Sequence, residues 1–101
     1  VADYTVASGD QGKYEITLTP NVESTVTFSE DLDEVEISND NGVGRVYFTV
    51  DGTTATVRGA NCRQIPAALH YVRPRVYRNG NTVVRFISEA ATMVSVAKAS
   101  A

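Results

Sequence analysis

The sequence predicts an all-β fold: a single antiparallel β-sandwich, immunoglobulin-like or jelly-roll-like, of about eight short strands. Three observations predict it. Apolar and polar residues alternate over several short runs, the mark of half-buried strands. Clusters of Gly, Asn, Asp and Pro punctuate those runs at roughly ten-residue spacing, the rhythm of sandwiches and small barrels. No stretch sustains a helical period, and residues 66–71 offer one turn at most. At 101 residues the chain suits one domain with one core. We divide it into residues 1–12, an N-terminal arm or short edge strand, and residues 13–101, the sandwich.

Taken in order, residues 3–7 suggest a first strand before the turn-rich Ser8–Gly12. Lys13 to Thr19 alternates, with Tyr14, Ile16 and Leu18 on one face, until Pro20-Asn21 breaks it. Ser24 to Phe28 puts Val26 and Phe28 on one face, and Glu34 to Ser38 does the same with Val35 and Ile37. Asn39–Gly42 reads as a turn. The strongest signal is Arg45 to Arg58, where Val46, Phe48, Val50, Ala55 and Val57 alternate around Asp51-Gly52. Asp-Gly supplies the two positive-φ positions of a tight hairpin turn. Closing the turn there sets Val50 opposite Thr53, Phe48 opposite Ala55 and Val46 opposite Val57, with Arg45 facing Arg58. Tyr47 and Thr49 then point to the other side.

Residues 59–69 are the least regular, and Pro66 argues against a central strand. The segment from Val72 leads through Asn79-Gly80 into Asn81–Ser88. A two-residue turn there pairs Val76 with Val83, whereas a bulged three-residue loop pairs it with Val84. One residue of slip exchanges the faces, so both registers stand. Thr92 to Ala97 supplies the last strand.

Charge divides the chain. Residues 1–44 hold ten acids against Lys13, a balance of −9, while residues 45–101 hold seven arginines and Lys98 against Asp51 and Glu89, a balance of +6. Halves of one small domain pack on each other, so internal pairing is the first expectation and a partner reading one pole the second. No apolar run approaches the roughly 20 residues of a membrane helix, and no signal-peptide pattern follows Val1. Cys62 is the only cysteine, which excludes an internal disulfide and suits a reducing compartment. Lysine, the usual blocker of edge strands, occurs only as Lys13 and Lys98, so an edge buried against the chain itself or against a neighbour is expected.

Reactive constellations are thin. Cys62 and His70 lack the third group that orients a nucleophile–base pair, and read more simply as a small thiol and a loop histidine. Zinc needs several Cys or His ligands. Glu30, Asp31, Asp33, Glu34 and Glu36 are hard oxygen donors, but their spacing is not that of a calcium loop. A paired-carboxylate glycosidase would need a cleft. No catalytic, cofactor or metal residue is assigned. Arg73, Arg75 and Arg78, interleaved with Tyr71 and Tyr77, could follow a nucleic-acid strand, yet the acidic half opposes phosphate binding. Arginine and tyrosine also favour protein interfaces. The candidate interface is therefore Tyr71, Arg73, Arg75, Tyr77 and Arg78 with Asp31, Asp33 and Glu34, facing protein rather than nucleic acid or membrane.

The segment VEISNDNGVGRVYFTVDGTTATV, Val35 to Val57, together with NTVVRFIS, Asn81 to Ser88, resembles small β-sandwich virion proteins of actinobacterial tailed phages. The likeness spans roughly residues 22–97. Ala55 stands where such sequences often carry Pro, and Arg85-Phe86 where Lys-Leu is common. The resemblance implies a capsid decoration or auxiliary protein, made in the host cytoplasm and carried on the virion surface. It would bind the major capsid protein and form a homo-oligomer, such as a threefold cluster. VYFTVDGTTAT also resembles a segment of immunoglobulin-like domains appended to sugar-active enzymes. That likeness implies the alternative of a tail- or fibre-associated adhesion or carbohydrate-binding module. A small enzyme is the third class, and would need a pocket of convergent polar groups.

Overall fold

A computed structural model describes residues 2–7, 9–30, 32, 34–50, 53–75 and 82–98. The described residues form nine strands and no helix. In chain order they are β1 Ala2–Val6, β2 Gly12–Thr17, β3 Ser24–Phe28, β4 Val35–Asn39 and β5 Val46–Thr49. There follow β6 Arg63–Ile65, β7 His70–Val72, β8 Thr82–Ser88 and β9 Met93–Lys98. One sheet has the order β1-β3-β8-β5-β6 and the other β2-β9-β4-β7. All pairings are antiparallel except β1 with β3, which is parallel. The expected all-β sandwich is therefore the fold, with one strand more than the sequence suggested.

The core lies between the sheets. Val26, Phe28, Val46, Phe48, Ile65, Val84 and Phe86 project from one side to meet Ile16, Val35, Ile37, Val94 and Val96 from the other, all essentially inaccessible. Phe48 stands opposite Phe86 and Val26 opposite Val84 in the ladders, so large side chains stack in register. Burying each such side chain is worth about 1.5–3 kcal/mol. The open side of the sandwich is closed where Lys13, from β2, lies over the Tyr4 ring of β1 at 5.1 Å. Lys13 thus sits on an edge strand after all.

Four sequence expectations are corrected. The strand pairing expected across Asp51-Gly52 is not made, because β5 pairs with β6: Val46 faces Ile65 and Phe48 faces Arg63, not Val57 and Ala55. Residues 53–62 instead fold over the outer side of the five-stranded sheet, where Ala55, Val57 and Cys62 cover Tyr47 and Ile87. β5 is thereby buried on both faces, which alternation cannot distinguish from a half-buried strand. Asp51 and Gly52 lie outside the described residues.

Arg58 consequently does not face Arg45. It pairs with Glu89 at 3.2 Å, and Arg45 donates to Gln64. Tyr14 departs from the face of Ile16 and Leu18, because a bulge between Lys13 and Ile16, with Glu15 at φ 55°, turns it outward; it is 51 % exposed. Finally, β7 and β8 belong to different sheets, so they form no hairpin. Val83 pairs with Thr27 and Val84 with Val26, and residues 76–81 lie outside the described residues.

Candidate functional site: the face of the four-stranded sheet

The outer faces of the two sheets differ. The five-stranded sheet carries its own cap, residues 53–62, held down at several points. Glu23 anchors it: one carboxylate oxygen accepts from Ala55 N–H at 2.7 Å and the other from the Arg85 guanidinium at 2.9 Å. Thr49 donates to the Thr53 carbonyl at 2.6 Å, and Cys62 exchanges hydrogen bonds with the Thr56 backbone. Cys62 is thus a structural thiol, and His70 stands on β7, its ring tilted beside Tyr71.

The four-stranded sheet keeps polar and aromatic side chains on its outer face. Ser38 pairs with Tyr71 in the ladder, and an isolated bridge between Glu34 and Arg75 continues the same register past β7. Strand alternation then places Tyr71, Arg73 and Arg75 on the outward face, beside Ser38, Glu36 and Glu34 of the neighbouring strand. Arg73 reaches Glu34 at 3.5 Å and Glu36 at 3.9 Å. Pro74 is accommodated because β7 is an edge, its carbonyl still accepting from Val35 N–H at 3.2 Å. Of the predicted interface residues, Tyr71, Arg73, Arg75 and Glu34 therefore come together in one stripe. Tyr77, Arg78, Asp31 and Asp33 lie outside the described residues.

Sequence reasoning missed the apolar side chains beside this stripe. Leu69 is 76 % exposed and Val43 62 %, with Tyr71 at 58 %. Their loops touch: the Gly42 backbone, at φ 66°, lies against Ala68 and Leu69 so closely that a Cβ would come within 3.1–3.2 Å of their main chain. Neither residue belongs to an alternating run, so no periodicity pointed to them.

Of the acids offered for a cation, those among the described residues are occupied otherwise. Lys98 pairs with Glu30, holding its carboxyl below the usual carboxylate range through a hydrogen bond and its charge, against the opposing effect of burial. Arg73 takes Glu34 and Glu36. Asp40 accepts from Ser38 at 2.8 Å and from Ser95. Asn39 and Asn41 serve the turn itself: Asn39 donates to the carbonyls of Gly44 and Pro66, and Thr92 donates to the side-chain oxygens of both asparagines. Among the described residues no group of three His, Cys, Asp or Glu side chains converges as a metal site.

No protein-family model and no curated protein matches the chain. Solved structures of similar fold include two that cover nearly the whole chain. One is CBM_E1, a carbohydrate-binding module from a sugar cane soil metagenome, solved with cellopentaose and a gadolinium ion. It has a TM-score of 0.58 at 9% identity, over 97% of this chain and 92% of that one. The other is PliG of Aeromonas hydrophila, a periplasmic inhibitor of g-type lysozyme. It has a TM-score of 0.55 at 10% identity, over 95% of each chain. At such identities the likeness is one of fold.

Proposed function

We propose that this chain is a non-catalytic structural protein of a tailed-phage particle, a decoration protein that binds the major capsid shell through the face of its four-stranded sheet. The observation that carries the reading is the outward stripe of Tyr71, Arg73 and Arg75 against Glu34 and Glu36, on the sheet that the chain's own loop does not cap. Tyrosine and arginine are the residue types that dominate binding energy at protein interfaces. The sequence resemblance of Val35–Val57 and Asn81–Ser88 supplies the shell as partner and the virion surface as location. Two neighbours of the same fold, a binding module and an inhibitor, are named for binding rather than for turnover.

Co-sedimentation with undecorated expanded heads tests the reading. Saturable pelleting is expected, weakened on the order of tenfold or more by Tyr71→Ala or Arg75→Glu, as for interface anchors. A chain that stays in the supernatant at saturating concentration ends the proposal.

A second reading, carbohydrate binding, draws on the fold shared with CBM_E1 and on two exposed tyrosines. Tyr14 and Tyr71 stand on the opposite edge strands β2 and β7, about 14 Å apart at ordinary strand spacing. Calorimetric titration with cellopentaose separates the readings: heat of binding abolished by Tyr71→Ala favours the sugar, and a flat titration favours the shell.

A further inference from the structure

Among the described residues, the charges that form no ion pair are sorted by edge, apart from Lys13 of β2, which lies over the Tyr4 ring. One side of the sandwich ends in β1 and β2, the other in β6 and β7. Asp3 on β1, Asp10 in the turn before β2, and Glu15 on β2 make no ion pair. On the opposite side Arg63 of β6 and Arg75 beyond β7 are likewise unpaired, and Arg45 has only the neutral Gln64. Exposed apolar groups follow the same two edges, with Tyr14 on β2 and Tyr71 on β7 preceded by Leu69.

We propose that a second copy of this chain docks head to tail, the β6/β7 edge of one molecule against the β1/β2 edge of the next. Tyr71, Leu69 and Arg75 of one copy would meet Tyr14, Glu15 and Asp10 of the other. Strand direction permits it. Each neighbour in β2-β9-β4-β7 is antiparallel, so β2 and β7 run in opposite senses, and so do β1 and β6 across the other sheet. A copy placed by translation therefore brings antiparallel edges together in both sheets. The bulge of β2 interrupts its ladder and turns Tyr14 outward, so side chains rather than a continuous ladder make the contact. Charge selects this pairing over the two-fold ones. A β7–β7 contact sets Arg75 and Arg63 against their own copies, and a β2–β2 contact does the same with Asp10 and Glu15. A heterologous contact of this kind closes into a ring or continues as a row, according to the rotation between copies. The inference is read from the two edges alone and does not rest on the shell reading.

Sedimentation velocity on the full chain, across a concentration series at low and high salt, tests it. Concentration-dependent association that salt weakens is expected. Glu15→Lys and Arg75→Glu should each weaken association about tenfold, an attraction having become a repulsion. An equimolar mixture of the two variants should recover it, since each altered edge then meets its complement. If Glu15→Lys does not fold by circular dichroism, Asp10→Lys in the exposed turn takes its place. A chain monomeric throughout overturns the proposal, as does a mixture that fails to recover. Association weakened by Arg75→Glu but left unchanged by Glu15→Lys, the result of a two-fold β7 contact, overturns it too. Monomers that still pellet with heads would sink this inference and leave the shell reading intact.

Discussion

Asn39 shows how much a single residue decides. It is buried at the end of β4, and its amide spans the turn it opens: the NH2 donates to the Gly44 carbonyl at 2.8 Å and the Pro66 carbonyl at 3.0 Å. Its oxygen accepts from Gly42 N–H at 3.1 Å and from Thr92 at 2.9 Å. Asn39→Ala would strand several buried groups at once, each costing about 1–3 kcal/mol unsatisfied. A loss of at least about 2 kcal/mol in urea unfolding is expected, and a loss under half of that would show the turn to be held elsewhere. Arg58 gives the opposite sign. It sits at φ 56°, a left-handed conformation that costs a side-chain-bearing residue roughly 1 kcal/mol or more, and its ion pair with Glu89 is exposed and worth little. Arg58→Gly should therefore raise the melting temperature slightly, whereas a clear fall would mean that the guanidinium holds more than Glu89.

The element that most departs from its sequence is the segment after β5, and its chemistry makes a specific expectation. The Ala55 N–H donates to a half-buried Glu23 carboxylate. Ala55→Pro removes a hydrogen bond to a charged group, worth about 1.5–3 kcal/mol, and should destabilise the chain correspondingly. In a Glu23→Gln background the same change should cost less, and equal costs in both backgrounds would detach the cap from Glu23. Strand positions were legible because alternation reports burial directly: β3 falls where Val26 and Phe28 placed it, and β8 falls in the Asn81–Ser88 run, though which of its faces turns inward was left open. Pairing was less so. Tyr47 and Thr49 read as a solvent face because nothing local announces that Ala55 and Val57 will return to cover Tyr47 and Ile87. The site was half legible for the same reason. Tyr71, Arg73 and Arg75 alternate and so share a face wherever the strand lies, but the strand's place at an edge beside Glu34 and Glu36 depends on long-range pairing.

At the scale of the whole molecule, the acidic first half and the basic second half pair internally. Glu23 with Arg85, Glu34 and Glu36 with Arg73, and Glu30 with Lys98 all join residues before position 44 to residues after it. The Glu30–Lys98 pair ties the end of β3, in one sheet, to the last strand of the other, so its titration should be felt as global stability. Lys98, by hydrogen bond and by charge, holds the Glu30 carboxyl below its ordinary value. The unfolded chain therefore binds the proton more readily than the folded one, and the pair's contribution is complete above the ordinary carboxyl range. It is lost as pH falls through the lowered folded value. Removing the cation with Lys98→Met leaves desolvation opposed only by the backbone hydrogen bond from Gly9, the weakest of these influences, so the carboxyl is pushed upward instead. Urea midpoints measured from neutral to acid pH should fall for the unaltered chain, while Lys98→Met starts lower and shows a flattened or inverted acid limb. Glu30→Gln, which cannot titrate, should flatten the limb as well. Parallel acid limbs in all three chains would mean that the two sheets are tied together by packing alone.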